Sequence, residues 1–193
     1  FLGDCPWEAD LLFARQVCEQ LEVPLVIVPL QQDYLERVVN HALDELRAGR
    51  TPSPDIFCNQ RIKFGAFIDL LDPTLNTTAS GHYARLEELN GSPVLKCGID
   101  PIKDQTYFLS HLRPTQLERL ILPLGNFNKS EVRQLASDFD LCNKDRPDSQ
   151  GVCFLGKISY RDFVAFHLGE KPGRIIDLDS STAIGEHRGY WFH

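Results

Sequence analysis

Two thiols stand where chemistry could use them. Cys58 closes the stretch TPSPDIFC, behind Pro52 and Pro54 and three residues after Asp55. The prolines fix φ at two positions and remove two backbone donors, and residues ahead of a proline are pushed to extended geometry. Asp55 and Cys58 therefore follow a stiffened segment. Asn59 is expected to cap the next helix, leaving Cys58 at its positive amino end, where Arg61 and Lys63 also favour thiolate. Asp55 is near enough in sequence to move a proton to or from a bound substrate. The plain alternative for Cys58 is a buried structural cysteine. Cys153 lies in DSQGVCFLG, among residues that suit an exposed loop, although Val152, Phe154 and Leu155 equally suit its burial as a small hydrophobe.

Two further stretches carry polar groups in suggestive places. In SGHYAR, Gly81 follows β-branched residues and permits close approach of a backbone to a ligand, and His82 can hydrogen-bond a phosphate or a nucleotide. A solvent-exposed turn histidine explains the same residues. In KDQTYFL, Lys103, Asp104 and Gln105 open what reads as an amphipathic helix. Such a triplet is either a solvated first turn or a contact surface. The remaining cysteines (Cys5, Cys18, Cys97, Cys142) have no supporting acid or base and are assigned no chemistry.

The elements that position these residues follow from periodicity. WEADLLFARQVCEQL repeats apolar residues at helical spacing. PLVIVPL is a short continuous apolar run, the pattern of a strand buried on both faces of a parallel sheet. Tyr34, Val38, Ala42 and Leu46 stripe a second helix that stops near Gly49. RIKFGAFIDLL reads as a third. TLNTTASGHY suggests a strand, and ARLEELNGSPVLKCG is a hairpin around Asn90-Gly91. Asn128 with Glu131, and Ser159 with Asp162, mark the starts of two more helices. From Lys171 onward short strands dominate. Helix–strand alternation over the first 160 or so residues predicts an α/β fold with a parallel sheet, and such sheets bind ligands beyond the carboxyl ends of their strands. We divide the chain at 1–160, a catalytic domain, and 161–193, the start of a small β-rich domain.

Bulk properties narrow the function. The 193 residues suffice for one core and a small second unit, and 42% hydrophobic with 24% charged residues is a soluble globular composition. A net charge of −7 argues against a generic basic nucleic-acid coat, but not against a local positive face built from Arg61, Lys63, Arg85 and Lys103. No CxxC pair occurs among the six cysteines, which argues against a zinc site of common spacing, so no metal site is assigned. Reduced thiols in a cytosol-like compartment are the expectation. The chain has no methionine and ends in an aromatic, strand-like run, so it reads as a piece of a longer protein.

Taken together and in order, GRTPSPDIFCNQRIKF, ASGHYAR, DPIKDQTYFL and DSQGVCFLG resemble the motif set of the tRNA-specific 2-thiouridylases (MnmA family), and IGEHRGYWFH resembles the start of that family's middle domain. The resemblance implies a Rossmann-like PP-loop fold of the adenine nucleotide alpha hydrolase type. It also implies an enzyme that uses ATP, with Mg2+, to replace O2 of the wobble uridine of tRNA with sulfur. By resemblance Cys58 takes the nucleophile position and Cys153 the persulfide position, and Asp55 serves as acid or base. Ser53, Pro54 and Asp55 match the segment that meets the target base. Gly81 matches an ATP contact, and His82, Lys103, Asp104 and Gln105 match tRNA contacts. A sulfur-donor protein is the implied partner and the cytoplasm of a bacterium, or a plastid or mitochondrion, the implied location.

Two positions depart mildly from the family pattern: Ser53 where asparagine is usual, and Ser80 where threonine is usual. The sequence also lacks the SGGVDSS-type pyrophosphate loop and the carboxyl-terminal β-barrel, so by this resemblance 1–160 is a partial PP-loop ATP- and tRNA-binding catalytic domain, and the piece as given is not expected to adenylate a substrate. Two other readings stay open at this stage: a dithiol redox protein acting without RNA, and a non-catalytic tRNA-binding remnant.

Overall fold

Asn90 and Gly91 turn the chain with φ of +54° and +77°, the left-handed pair that a two-residue hairpin turn requires. They join β2 (Ala84–Leu89) to β3 (Ser92–Cys97) in antiparallel register, with Leu86 opposite Leu95 and Arg85 opposite Lys96. The computed structural model describes residues 7–147 and 159–192. Among these a second sheet is parallel and short: β1 (Thr78–Ala79) lies beside β4 (Leu120–Ile121), with Thr78 N–H bonded to the Arg119 carbonyl at 2.8 Å and Ser80 N–H to Ile121 at 2.9 Å. The third sheet pairs β5 (Gly173–Ile176) with β6 (Ala183–His187) antiparallel, in the segment where short strands are expected.

The helices largely follow the apolar stripes. Trp7–Gln20 is helical. Residues 31–47 form a second helix, with Val38, Ala42 and Leu46 buried and Gly49 in the left-handed region at φ +75°. Its middle, Leu35–Val39, is wound as a π turn. Lys129–Asp138 and Tyr160–Leu168 complete the set. In the latter, Ser159 Oγ accepts the Asp162 N–H at 3.1 Å, as its cap pattern predicts. In the former, Glu131 accepts the Asn128 N–H at 2.7 Å, but the first helical N–H, that of Lys129, is taken from a distance by Asp100 Oδ2 at 2.8 Å.

Two cores result. Phe64, Ile68, Ala84, Leu109, Leu117, Leu120 and Leu122 fill one, so that the third helix, the hairpin and the parallel pair share it. Val39, Leu43 and Leu46 pack with Phe163, Val164 and Trp191 in the other. Burial of each such side chain contributes about 1.5–3 kcal/mol.

Three expectations need correction. PLVIVPL at 24–30 forms no strand, and Val26 is 77% and Ile27 59% exposed. No described strand lies beside this run to complete its ladder, and β structure is a property of pairs rather than of one segment. KDQTYFL does not begin a helix at Lys103: the residues turn, and only Thr106–Leu109 make a single 3-10 turn. Asn59 does not cap the third helix, which begins a full turn earlier at Pro54, a residue pre-set for the first helical position. Among the described residues no helix is long and apolar enough to cross a membrane.

Gly125 ties the loop after β4 to the hairpin, because a Cβ there would overlap the Ala84 carbonyl. Backbone cannot yield as a side-chain tip can. Gly125→Ala is expected to cost about 3 kcal/mol, a thermal midpoint lowered by roughly 6–12 °C, whereas Gly91→Asn, with no atom within 4 Å, should cost only the roughly 1 kcal/mol of holding a non-glycine residue left-handed, about 2–4 °C.

Candidate active site

Cys58 sits in the second turn of the helix over 54–69. That helix is α-helical over Pro54–Phe57, a π-helix over Cys58–Ala66, and α-helical again over Phe67–Asp69. π segments of this kind concentrate at functional sites, since they take up an extra residue and re-aim the side chains around them. The orphan amides of the amino end lie over Ser53–Ile56 rather than at Cys58, so the thiol is half-buried one turn in.

The residues after Cys58 bolt this turn to its surroundings. Asn59, 3% exposed, donates from Nδ2 to the carbonyls of Asp55 at 3.0 Å and Phe108 at 3.2 Å. Gln60 Nε2 donates to the His111 carbonyl at 2.7 Å. Arg61 donates to the Arg37 carbonyl at 2.6 Å and stacks its guanidinium 4.3 Å over Phe57. The Arg61 charge is thus held at the seam between two helices. From the other side, Gln116 Nε2 donates to Gln60 O at 2.8 Å and Phe64 O at 2.6 Å.

Asp55, Lys63 and His82 share one electrostatic neighbourhood. Burial raises the Asp55 carboxyl above its ordinary range, and the Lys63 ammonium opposes that rise. Burial also lowers His82 from 6.5 to about 4, with Lys63 pushing the same way. His82 is therefore a neutral imidazole at pH 7. Its Nδ1 lies 2.7 Å from Ser80 Oγ, and its ring centroid lies 5.9 Å from that of Phe64 on the Cys58 helix. A neutral ring of this kind offers a hydrogen bond but no charge. Burial increases the affinity of Asp55 for a proton, the direction that an acid–base group needs.

Gly81 is exposed at the carboxyl end of β1. A Cβ there would meet only Leu124 Cδ1, at an ordinary 3.8 Å, so internal packing does not demand glycine at this position. Next to it, Tyr83 is locked by Gln105: the Tyr83 N–H donates to Gln105 Oε1 at 3.1 Å and the Gln105 N–H to Tyr83 O at 2.9 Å. Asp104 Oδ1 accepts from Gly98 N–H at 2.9 Å and from Thr106 Oγ at 2.6 Å. Desolvation pushes Asp104 up, but the hydrogen bonds from Thr106, Gly98 and Cys97 outweigh it and leave its pKa below the usual value. Asp100 is likewise lowered, first by the Lys129 N–H, and also holds the Ile102 and Lys103 N–H groups. The carboxylates of this loop fix its shape.

Of the residues singled out by sequence, then, Ser53, Pro54, Asp55 and Cys58 lie on one helix start, Gly81 and His82 across from that helix, and Lys103, Asp104 and Gln105 on a loop bonded to both through Tyr83 and Phe108. Cys153, with its DSQGVCFLG loop, lies outside the described residues, as does Cys5. Sequence reasoning missed Asn59, Asp100 and Gln116 as structural ties. Beside its local bonds each has a partner 29 or more residues away (Phe108, Lys129, and Gln60 with Phe64), which no local pattern could show.

Comparison with known proteins adds to this geometry. Residues 1–157 match the family described as tRNA methyl transferase HUP domain, a Rossmann-like fold. The tRNA-specific 2-thiouridylase MnmA of Porphyromonas gingivalis (strain ATCC 33277) is 44% identical over 190 residues, covering 98% of this chain and 53% of that protein. The Parabacteroides distasonis protein of the same name is 41% identical over 98% of the chain and 53% of its own length. MnmA 2 of Bacteroides fragilis (strain ATCC 25285) is 43% identical over 98% and 54%. The chain spans about half the length of the curated relatives it matches.

The buried imidazole sets a pH signature. Its folded pKa of about 4 lies below the unfolded 6.5, so the unfolded state binds more protons between these values, and stability falls as pH drops from 6.5 towards 4. The His82 ring protons should titrate near 4 by NMR. His82→Gln should flatten this part of the stability profile. A ring titrating near 6.5 would contradict the burial described here.

Proposed function

The chain belongs to the tRNA methyl transferase HUP domain family, and from that premise we propose that it carries the thiol chemistry of an ATP-dependent tRNA uridine 2-sulfurtransferase acting at the wobble position. The carrying observation is the convergence of three separate motifs. Asp55 and Cys58 on one helix, His82 across from it, and the Lys103–Gln105 loop are joined by named hydrogen bonds and by the charge of Lys63. The relatives' names state the activity for those proteins, and they support its extension here.

In this reading a uridine C2 carbonyl sits beside the helix start, against Ser53, Pro54 and Asp55. Its oxygen is a poor leaving group, and the chemistry that ATP with Mg2+ supplies when bound is to make it a good one. A persulfide on Cys153, loaded by a sulfur-donor protein, gives its outer sulfur to C2. Cys58 as thiolate then attacks the inner sulfur. The S–S bond to the transferred atom breaks, its electron pair stays on the sulfur now held by the base, and Cys58 and Cys153 are left as a disulfide. An external dithiol must reduce that disulfide before the next turnover. Asp55, its pKa raised by burial, exchanges the proton that accompanies loss of the oxygen.

One residue present fits a nucleotide: Gly81 is exposed at a strand's carboxyl edge and a Cβ there would make only an ordinary contact with Leu124, and ligands bind beyond such edges in folds of this kind. For tRNA, the Lys103–Gln105 loop offers a pre-shaped edge rather than free carboxylates, since Asp104 and Gln105 already accept internal N–H groups. His82 contributes a neutral hydrogen bond. We keep the division into a catalytic domain at 1–160 and a following domain at 161–193 as part of this proposal.

Two measurements test it in the complete protein. Cys58→Ser and Cys153→Ser should each lower 2-thiouridine formation by about a thousandfold or more. Retained thiolation in either variant overturns the two-thiol route, and exchange with small disulfides that needs neither ATP nor tRNA would instead mark a dithiol redox protein. Gly81→Ala should leave the thermal midpoint within about 2 °C, since its Cβ would make only an ordinary contact with the Leu124 side chain, while raising the KM for ATP about tenfold.

A further inference from the structure

We propose that Gln116 is a positioning residue for the Cys58 thiol, acting through the π-helix that carries it. The side-chain amide of Gln116 is fully oriented: Oε1 accepts the Arg113 N–H at 3.0 Å, and Nε2 donates to Gln60 O at 2.8 Å and to Phe64 O at 2.6 Å. Flipping the amide would set an acceptor against two carbonyls, so the donors must face the helix. Both amide hydrogens therefore go to one wide turn, Cys58–Ala66.

That turn sets the angle between the reactive end of the helix and its buried end. An α-helix advances about 100° per residue, and a π segment takes up extra residue length without moving the ends along the axis. Ile62, Phe64 and Ile68 fix the far end in the core. If the wide turn tightened to α geometry, Cys58 would swing by roughly 100° relative to Phe64. One nitrogen at 2.8 and 2.6 Å from the Gln60 and Phe64 oxygens holds them within about 5.4 Å of each other, closer than the roughly 6 Å by which four residues rise in an α-helix. Here two carbonyls of the wide turn, Gln60 and Phe64, take a donor from 50 or so residues away. Gln116 thus favours the wound-out form over the α form. Gly65 completes the arrangement, since a Cβ there would stand 3.0 Å from Gln60 O, the same carbonyl that Gln116 binds.

The inference deepens the proposed function and rests on Cys58 as its working thiol. Its test needs neither ATP nor tRNA, so failure here leaves that reading standing. The complete protein, reduced, is treated with limiting iodoacetamide from about pH 6 to 9.5, and the rate at each cysteine is read by peptide mass spectrometry. Cys97 and Cys142, both exposed, serve as internal references.

In Gln116→Met, which keeps the length and removes the donors, Cys58 alkylation should rise about threefold or more across the profile while the references stay constant. Gly65→Ala, which presses on the same carbonyl and leaves Gln116 in place, should raise Cys58 alone in the same direction. An unchanged or slower Cys58 in Gln116→Met overturns the proposal. So does a rise of all three thiols together, which would make Gln116 a general fold anchor. Should Gln116→Met not fold, an unchanged Cys58 in Gly65→Ala overturns the proposal by itself.

Discussion

One helix must satisfy two faces at once. Its first turns carry Asp55 and Cys58, both half-buried, and its later turns put Phe64 and Ile68 into the core shared with the hairpin and the parallel strands. The angle between the two faces is not free, because regular winding fixes it. The chain changes the winding instead, with a π segment whose carbonyls are met from outside by Gln116 and whose side chains Asn59, Gln60 and Arg61 reach three different neighbours. Everything said of the site depends on that departure from the α form.

Charge is placed with similar economy. An acidic chain of net −7 does not repel an anionic substrate uniformly, since several of its carboxylates face inward. Asp100 and Asp104 accept backbone N–H groups and hold a loop in shape, at depressed pKa. Asp55 is the opposite case, raised by burial and only partly restored by Lys63. The same ammonium helps keep His82 neutral. A single lysine thus biases an acid towards giving up its proton and a base towards refusing one.

Much of this was legible in the residues, and for identifiable reasons. Asn90-Gly91 dictates its own turn, so the hairpin and its register followed. Stripes at helical spacing located the helices, and Ser159 with Asp162 located a start. The failures share a cause as well. PLVIVPL has strand composition, but pairing needs a neighbour that the described residues do not supply. Asn59 is a good cap in isolation, yet Pro54 claims the helix start and leaves Asn59 to bridge Asp55 and Phe108. Periodicity averaged over a dozen residues cannot show a π turn, which differs from an α turn by one residue. Gln116 to Phe64, and Asp100 to Lys129, are ties that only a folded chain brings together. The family motifs pointed to Cys58 and Cys153, but the side chains that tie down the Cys58 turn carried no motif of their own.

The run over 24–30 has a practical consequence. Seven residues of high strand-forming composition, with Val26 and Ile27 bare to solvent, are the kind of segment that templates intermolecular stacking. Pro24 and Pro29 bracket it, and each withholds one N–H from any chain that would add alongside.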